Sequence, residues 1–132
     1  MKAVSPDELG YLHDATLRGL RWSVSDVGKR SLTLEVVCHP DAGHPEWNGK
    51  AIGITADDVL LFHCWAWGHV LGPEEIDRWS EGVSRKMKSE LRRHERAGGA
   101  PAKQLCTVTF QTGSRFELAC AHIAVDEIES LS

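Results

Sequence analysis

Two blocks of strict alternation constrain this chain more than any other feature. Leu20, Trp22 and Val24 alternate with Arg21, Ser23 and Ser25, and Leu32, Leu34, Val36 and Cys38 alternate with Thr33 and Glu35. A period of two places one apolar set on one face of a strand. Between them "SDVGKR" supplies Asp26 and Gly28, so the segment reads as a hairpin. The second block repeats the pattern: Cys106, Val108 and Phe110, the turn "QTGS", then Phe116, Leu118 and Cys120. Two hairpins with one apolar face each must bury those faces against something.

The middle of the chain supplies the candidates. Residues 50–55 read as a short strand. "DDVLLFHCWAWGHV" is apolar on both parities, which suits a central strand over residues 58–67, covered on both sides, with a buried helix as the alternative that periodicity leaves open. Gly72-Pro73 then opens a predicted long helix. Pro73 fits its first position, and Glu74, Glu75 and Asp77 fill the turn where the dipole favours acids. Ile76, Trp79, Val83, Met87 and Leu91 recur at steps of three and four. Arg92, Arg93 and Arg96 load the last turn and Gly98-Gly99 ends it. On this reading the run "RKMKSELRRHER" is a solvated, dipole-favoured second half. A patch for an acidic partner is the other reading. Gly82 inside such a helix costs about 1 kcal/mol against Ala and asks for a packing reason. Ser5, Pro6 and Glu8 suggest a short helical turn over residues 5–12, and His122 a bulge in a final strand over residues 121–125.

These elements predict one α+β domain over residues 1–132: an antiparallel sheet of about five or six strands packed on one long amphipathic helix. A half-open β-barrel wrapped around the helix is the alternative. A chain of 132 residues can bury such a core without disulfides or a structural metal. With 42% hydrophobic and 26% charged residues it has ordinary globular composition. The net charge of −4 argues against a general nucleic-acid binder. "MKAVSPDELGYL" has no apolar stretch of the signal-peptide kind, and no apolar run reaches bilayer length. The expectation is a cytoplasmic protein with reduced thiols and no membrane or nucleic-acid partner.

Three sets of residues carry candidate chemistry. The doublet His13-Asp14 offers an imidazole nitrogen and a carboxylate to a metal. Its structural reading is a corner in which Asp14 caps a turn. "CHPDAGH" gives Cys38, His39 and His44, and "HCWAWGH" gives His63, Cys64 and His69. Zinc takes such ligands in fours, but adjacent residues of a strand point to opposite faces and no Cys-x2-Cys knuckle is present. The alternative is buried thiols with loop histidines. The third set lies in the loop "HPDAGHPEWNGK". There Trp47, with Asp41 and Glu46, either stands out as a recognition residue or folds back onto the sheet.

"LHDATLRGLRW", "LTLEVV", "ADDVLLFH" and "CTVTFQTGSRFELACAHIAVDEI", taken in that order, resemble a loose group of small bacterial proteins, some of them grouped as toxin-immunity proteins. The resemblance runs in outline over most of the chain and rests on short motifs. "HPDAGHPEWNGK" and the charged helix depart from it. It implies a small cytosolic α+β domain with a binding role, it carries over no catalytic motif, and it makes His13-Asp14 a recurrent corner of the fold.

The function expected is therefore a non-enzymatic protein-binding module, in its narrower form an immunity-type inhibitor, with Trp47, Glu46 and Asp41 on its contact surface. A metal-binding protein or metal-dependent hydrolase is the alternative. It would use zinc or a similar ion on ligands drawn from His13, Asp14, Cys38, His39, His44, His63, Cys64 and His69. A homodimer that covers the apolar strand 58–67 is the third reading.

Overall fold

The structure, a computed structural model, describes residues 2–4, 8–65 and 74–128. Among them nine strands form one sheet: β1 (Lys2–Ala3), β2 (Thr16–Val24), β3 (Arg30–Val37), β4 (Ala51–Asp57), β5 (Leu61–Trp65), β6 (Glu74–Glu81), β7 (Gln104–Phe110), β8 (Arg115–Cys120) and β9 (His122–Glu127). Their order is β1-β9-β4-β3-β2-β6-β7-β8-β5, and every pairing is antiparallel. A 3-10 turn (Glu8–Leu12) precedes β2, and one helix, α1 (Arg85–Arg96), joins β6 to β7.

The expected α+β architecture is overturned. The molecule is mostly sheet, with nine strands rather than five or six, and α1 has only twelve residues. Among the described residues there is neither a long helix under the sheet nor a barrel around one. The error has a definite cause in β6. Its register against β7 shifts between Ile76 and Arg78, so a bulge absorbs one residue there. Ile76 and Trp79 are therefore both buried, although three residues apart in a strand. That step imitates a helical one. The true helix begins at Ser84, whose hydroxyl accepts the Met87 N–H, and only Met87 and Leu91 of the expected stripe lie on its buried face. Gly82 is not inside a helix. It turns the chain from β6 to α1 at a φ of 100°, a conformation costly for any residue with a Cβ. Pro73 lies outside the described residues, as do Ser5 and Pro6.

The larger of two buried clusters draws on both halves of the sheet. β2 pairs with β6 only at Thr16–Glu75 and Leu17–Glu74, and among the described residues this short junction is what joins the two halves into one sheet. Leu32, Leu34, Ile52 and Ile54 of one half then share a buried cluster with Val108, Phe116 and Leu118 of the other. β8 and β9 are separated by Ala121 alone, yet stand second from opposite ends of the strand order, so the chain crosses from one half to the other there. The apolar strand expected at the centre is β5, which ends the sheet. It is apolar on both parities for another reason. Phe62 packs on the shared core, while Leu61 meets Met87 and Leu91 of α1 on the outer face.

Candidate functional site

The His13-Asp14 doublet is a corner. Asp14 has a φ of 65°, a left-handed conformation that Asp tolerates better than most residues. Its N–H donates to Ile76 O at 2.8 Å, and the Ala15 N–H closes the turn on Leu12 O at 2.9 Å. Asp14 Oδ1 accepts the Gln111 amide at 2.7 Å, and Oδ2 lies 3.1 Å from His13 Nδ1. These bonds tie the entry of β2 to β6 and to the β7–β8 turn. His13 itself is exposed and, among the described residues, meets no candidate ligand but Asp14.

Among the described residues the cysteine and histidine segments do not converge. Cys38 is buried at the end of β3, and burial pushes its thiol up to about 11. His39 is exposed and its Nδ1 accepts the Asp41 N–H. His63 lies on the outer face of β5 with Nε2 3.3 Å from Glu90 Oε2, while Cys64 is exposed. His69 lies outside the described residues. Among the described residues no group of three or more His, Cys, Asp or Glu side chains is placed to hold a metal ion. Cys106 and Cys120 are buried too, and their thiols are pushed up to about 12, chiefly by desolvation. A thiol held protonated in this way is a poor nucleophile.

One polar row superficially suggests catalysis. β3, β4 and β9 place Ser31, Asp57 and His122 side by side. Ser31 Oγ donates to Asp57 Oδ1 at 3.1 Å, and His122 Nε2 lies 3.0 Å from Asp57 Oδ2. The carboxylate stands in the middle, so the imidazole cannot take the hydroxyl proton directly. Nucleophile activation needs the base beside the hydroxyl. The row is a cross-strand ladder.

Trp47 folds back. It is 6% exposed and stacks on His44 at 3.8 Å with the rings 8° apart. His44 is buried as well. Its Nδ1 accepts the Glu46 N–H at 3.1 Å, so the ring proton sits on Nε2 and is donated to Glu8 Oε1 at 3.0 Å. Tyr11 meets the ring edge-on at 5.3 Å. The loop 38–50 is thus latched to the 3-10 turn through His44, which Trp47 stacks on from within the loop and which Glu8 and Tyr11 meet from the turn. Trp47 and Glu46 still line a groove of about 260 Å³ with Lys2, Val4 and Asp126, and Asp41 is exposed nearby in sequence.

A different apolar surface is open, and Trp22, which reads as a core residue by its alternation, lies on it. Leu20 pairs with Leu34 and Trp22 with Leu32, so these side chains share the inner face of the sheet. Leu32 and Leu34 are buried, whereas Leu20 and Trp22 are left uncovered. Trp22 is 43% exposed, and Leu20, Val24 and Val27 are exposed with it. Trp22 and Phe62 approach to 6.1 Å between ring centroids, and Arg30 Nη2 donates to Leu60 O at 3.2 Å across the gap. Leu20, Trp22, Leu32, Leu60, Phe62 and His63 thereby line a groove of about 370 Å³ between the β2–β3 hairpin and the edge of β5. Val27, an apolar residue in a turn, was the signal in the sequence. That Leu20 and Trp22 stay open was not legible there.

The helix α1 flanks β5 on its other side. Its start rests on Glu117, a buried carboxylate whose Oε2 accepts the Ser84 N–H at 2.8 Å. Its first turn holds no acid and begins Arg85, Lys86. Cations there oppose the macrodipole at about 0.3–1 kcal/mol each. The dipole therefore explains only Arg93, His94 and Arg96 in the last turn.

No protein-family model matches the chain, and neither the curated proteins nor the solved structures contain a significant match. Among the described residues no helix is long and apolar enough to cross a membrane.

Proposed function

We propose that this chain is a non-enzymatic protein-binding module of the cytoplasm and that its contact surface is centred on Trp22. The observation that carries this reading is the half-exposed Trp22 beside Leu20 and Val24, on the rim of the groove closed by Phe62. Large aromatic residues at the centre of an interface contribute most of the binding energy when a partner desolvates them. A contiguous apolar surface left uncovered in a well-packed chain is a mark of an interaction site. The scattered ligand set, the buried protonated thiols and the Ser31–Asp57–His122 order give no competing support to an enzyme. The resemblance to toxin-immunity proteins supports the narrower form, an inhibitor that covers a toxin.

The test is a paired capture. Wild-type protein and Trp22→Glu are immobilised and exposed to lysate of the source cells, with both baits checked for equal thermal stability. A protein retained by the wild type and lost on Trp22→Glu supports the reading. Identical captured sets on both baits would sink it.

A further inference from the structure

We infer that the outer face of α1 is a docking surface for an acidic face of a protein partner. The helix carries Arg85, Lys86, Lys88, Arg92, Arg93 and Arg96 against Glu90 and Glu95, in a chain whose net charge is −4. At 100° per residue, measured from the buried side defined by Met87 and Leu91, Arg85, Lys86, Arg92, Arg93 and Arg96 occupy the opposite arc. Both carboxylates fall on the flanks, and Glu90 is turned toward His63. The result is a continuous cationic face about 18 Å long. None of its cations is in an ion pair among the described residues.

Helix stability does not account for this face. The first-turn cations work against the dipole, and the buried Glu117 at Ser84 offsets them from beneath rather than from the surface. The patch also extends onto the sheet. Arg78 pairs with Thr109, Thr109 with Arg115 and Arg115 with Trp65, which places one outward row beyond the start of α1. There the Arg115 guanidinium lies 4.6 Å over the exposed Trp65 ring. Guanidinium groups suit carboxylates through paired N–H donors.

A protein fits this surface better than a nucleic acid. A phosphate backbone is uniformly charged and would run off a short patch onto the acidic remainder of the molecule. An acidic protein surface is finite and can match it. The inference deepens the binding-module reading by naming the partner's chemistry, but its test leaves Trp22 untouched, so the two can fail separately.

The probe is a fluorescein-labelled oligoglutamate peptide, followed by anisotropy at low and rising salt, with oligothymidylate of equal charge in parallel. The full chain should bind the peptide, more weakly as salt rises. Combined Arg85→Glu, Arg92→Glu and Arg96→Glu should weaken it at least about tenfold, while the three Arg→Lys changes retain most of the affinity. Reversal of Arg21 and Lys29 on the β2–β3 hairpin should leave it within about twofold. Absence of peptide binding, an equal loss from the hairpin reversal, or tighter binding of the oligothymidylate would overturn the inference. A thermal midpoint shared by all variants confirms that charge, not folding, is being read.

Discussion

Glu117 and Ser84 are joined by a hydrogen bond of 2.8 Å, in which a carboxylate only 1% exposed accepts the backbone N–H at the start of α1. The bond links β8 to the helix that crosses its outer face. Glu117→Ala should cost about 2–4 kcal/mol, because it leaves a buried N–H without an acceptor and opens a void. Glu117→Gln keeps an acceptor and should cost less than half of that. Denaturant midpoints of the three proteins, with helical content from circular dichroism, check the order. An Ala variant as stable as wild type would remove Glu117 from this role.

Trp47 and His44 act as a latch rather than as a surface. Trp47→Ala should destabilise by about 3–5 kcal/mol, and His44→Ala by about 2 kcal/mol through loss of the stack and of the Glu8 bond. Thermal denaturation followed by tryptophan fluorescence measures both. Any loss of partner binding in Trp47→Ala should then track loss of folded protein.

The corner at Asp14 makes a sharper pair of variants. Asp14→Asn keeps an oxygen for Gln111 and tolerates a φ of 65°, so its stability should lie within about 0.5 kcal/mol of wild type. Asp14→Ala keeps neither advantage and should lose about 1–2 kcal/mol. His13→Ala should be nearly silent. If Asp14→Asn were as damaging as Asp14→Ala, the carboxylate charge would matter and the corner would need a second role.

The thiols divide by burial. A disulfide reagent should modify Cys64 quickly in the folded protein and reach Cys38, Cys106 and Cys120 only on unfolding. The same burial predicts alkaline instability. Above pH 9.0 the unfolded chain ionises these thiols, while the fold holds them protonated to about 11 for Cys38 and about 12 for Cys106 and Cys120. The unfolded state then binds fewer protons, so stability falls as pH rises through that window. Replacing Cys106 by Ser, Thr or Ala changes packing as well. The cleaner measurement is therefore the pH dependence of wild-type unfolding, and a flat profile from pH 9.0 to 11 would contradict the assignment.

Chelation should not shift the melting temperature, since among the described residues no three of the candidate ligands His13, Asp14, Cys38, His39, His44, His63 and Cys64 are placed to hold one ion. A chelator-dependent loss of several degrees would show that a metal does bind the fold, and would revive the metal-dependent reading.

The two hairpins were legible because strand pairing writes itself into the chain with a period of two. Leu32, Leu34 and Val36 are buried as their alternation requires, and so are Phe116, Leu118 and Cys120. The helix was legible only from Ser84 onward. Upstream, the bulge between Ile76 and Arg78 converted a strand's spacing into a helical one, and pairing with β7 overrode the local pattern. The corner reading of His13-Asp14 needed no long-range information beyond a polar pair at the mouth of a strand. The latch on Trp47 did, because Glu8 and Tyr11 lie more than thirty residues away.

The sequence by itself determined which residues alternate, where the hairpin turns fall and that α1 is strongly basic, because these depend on neighbours a few positions apart. Tertiary structure alone decided that β5 ends the sheet, that Trp22 stays open while Trp47 closes, and that the basic run starts a helix instead of finishing one. Each of those outcomes depends on packing and on pairings between segments distant in the chain. Burial is a property of that meeting, and no single segment carries it.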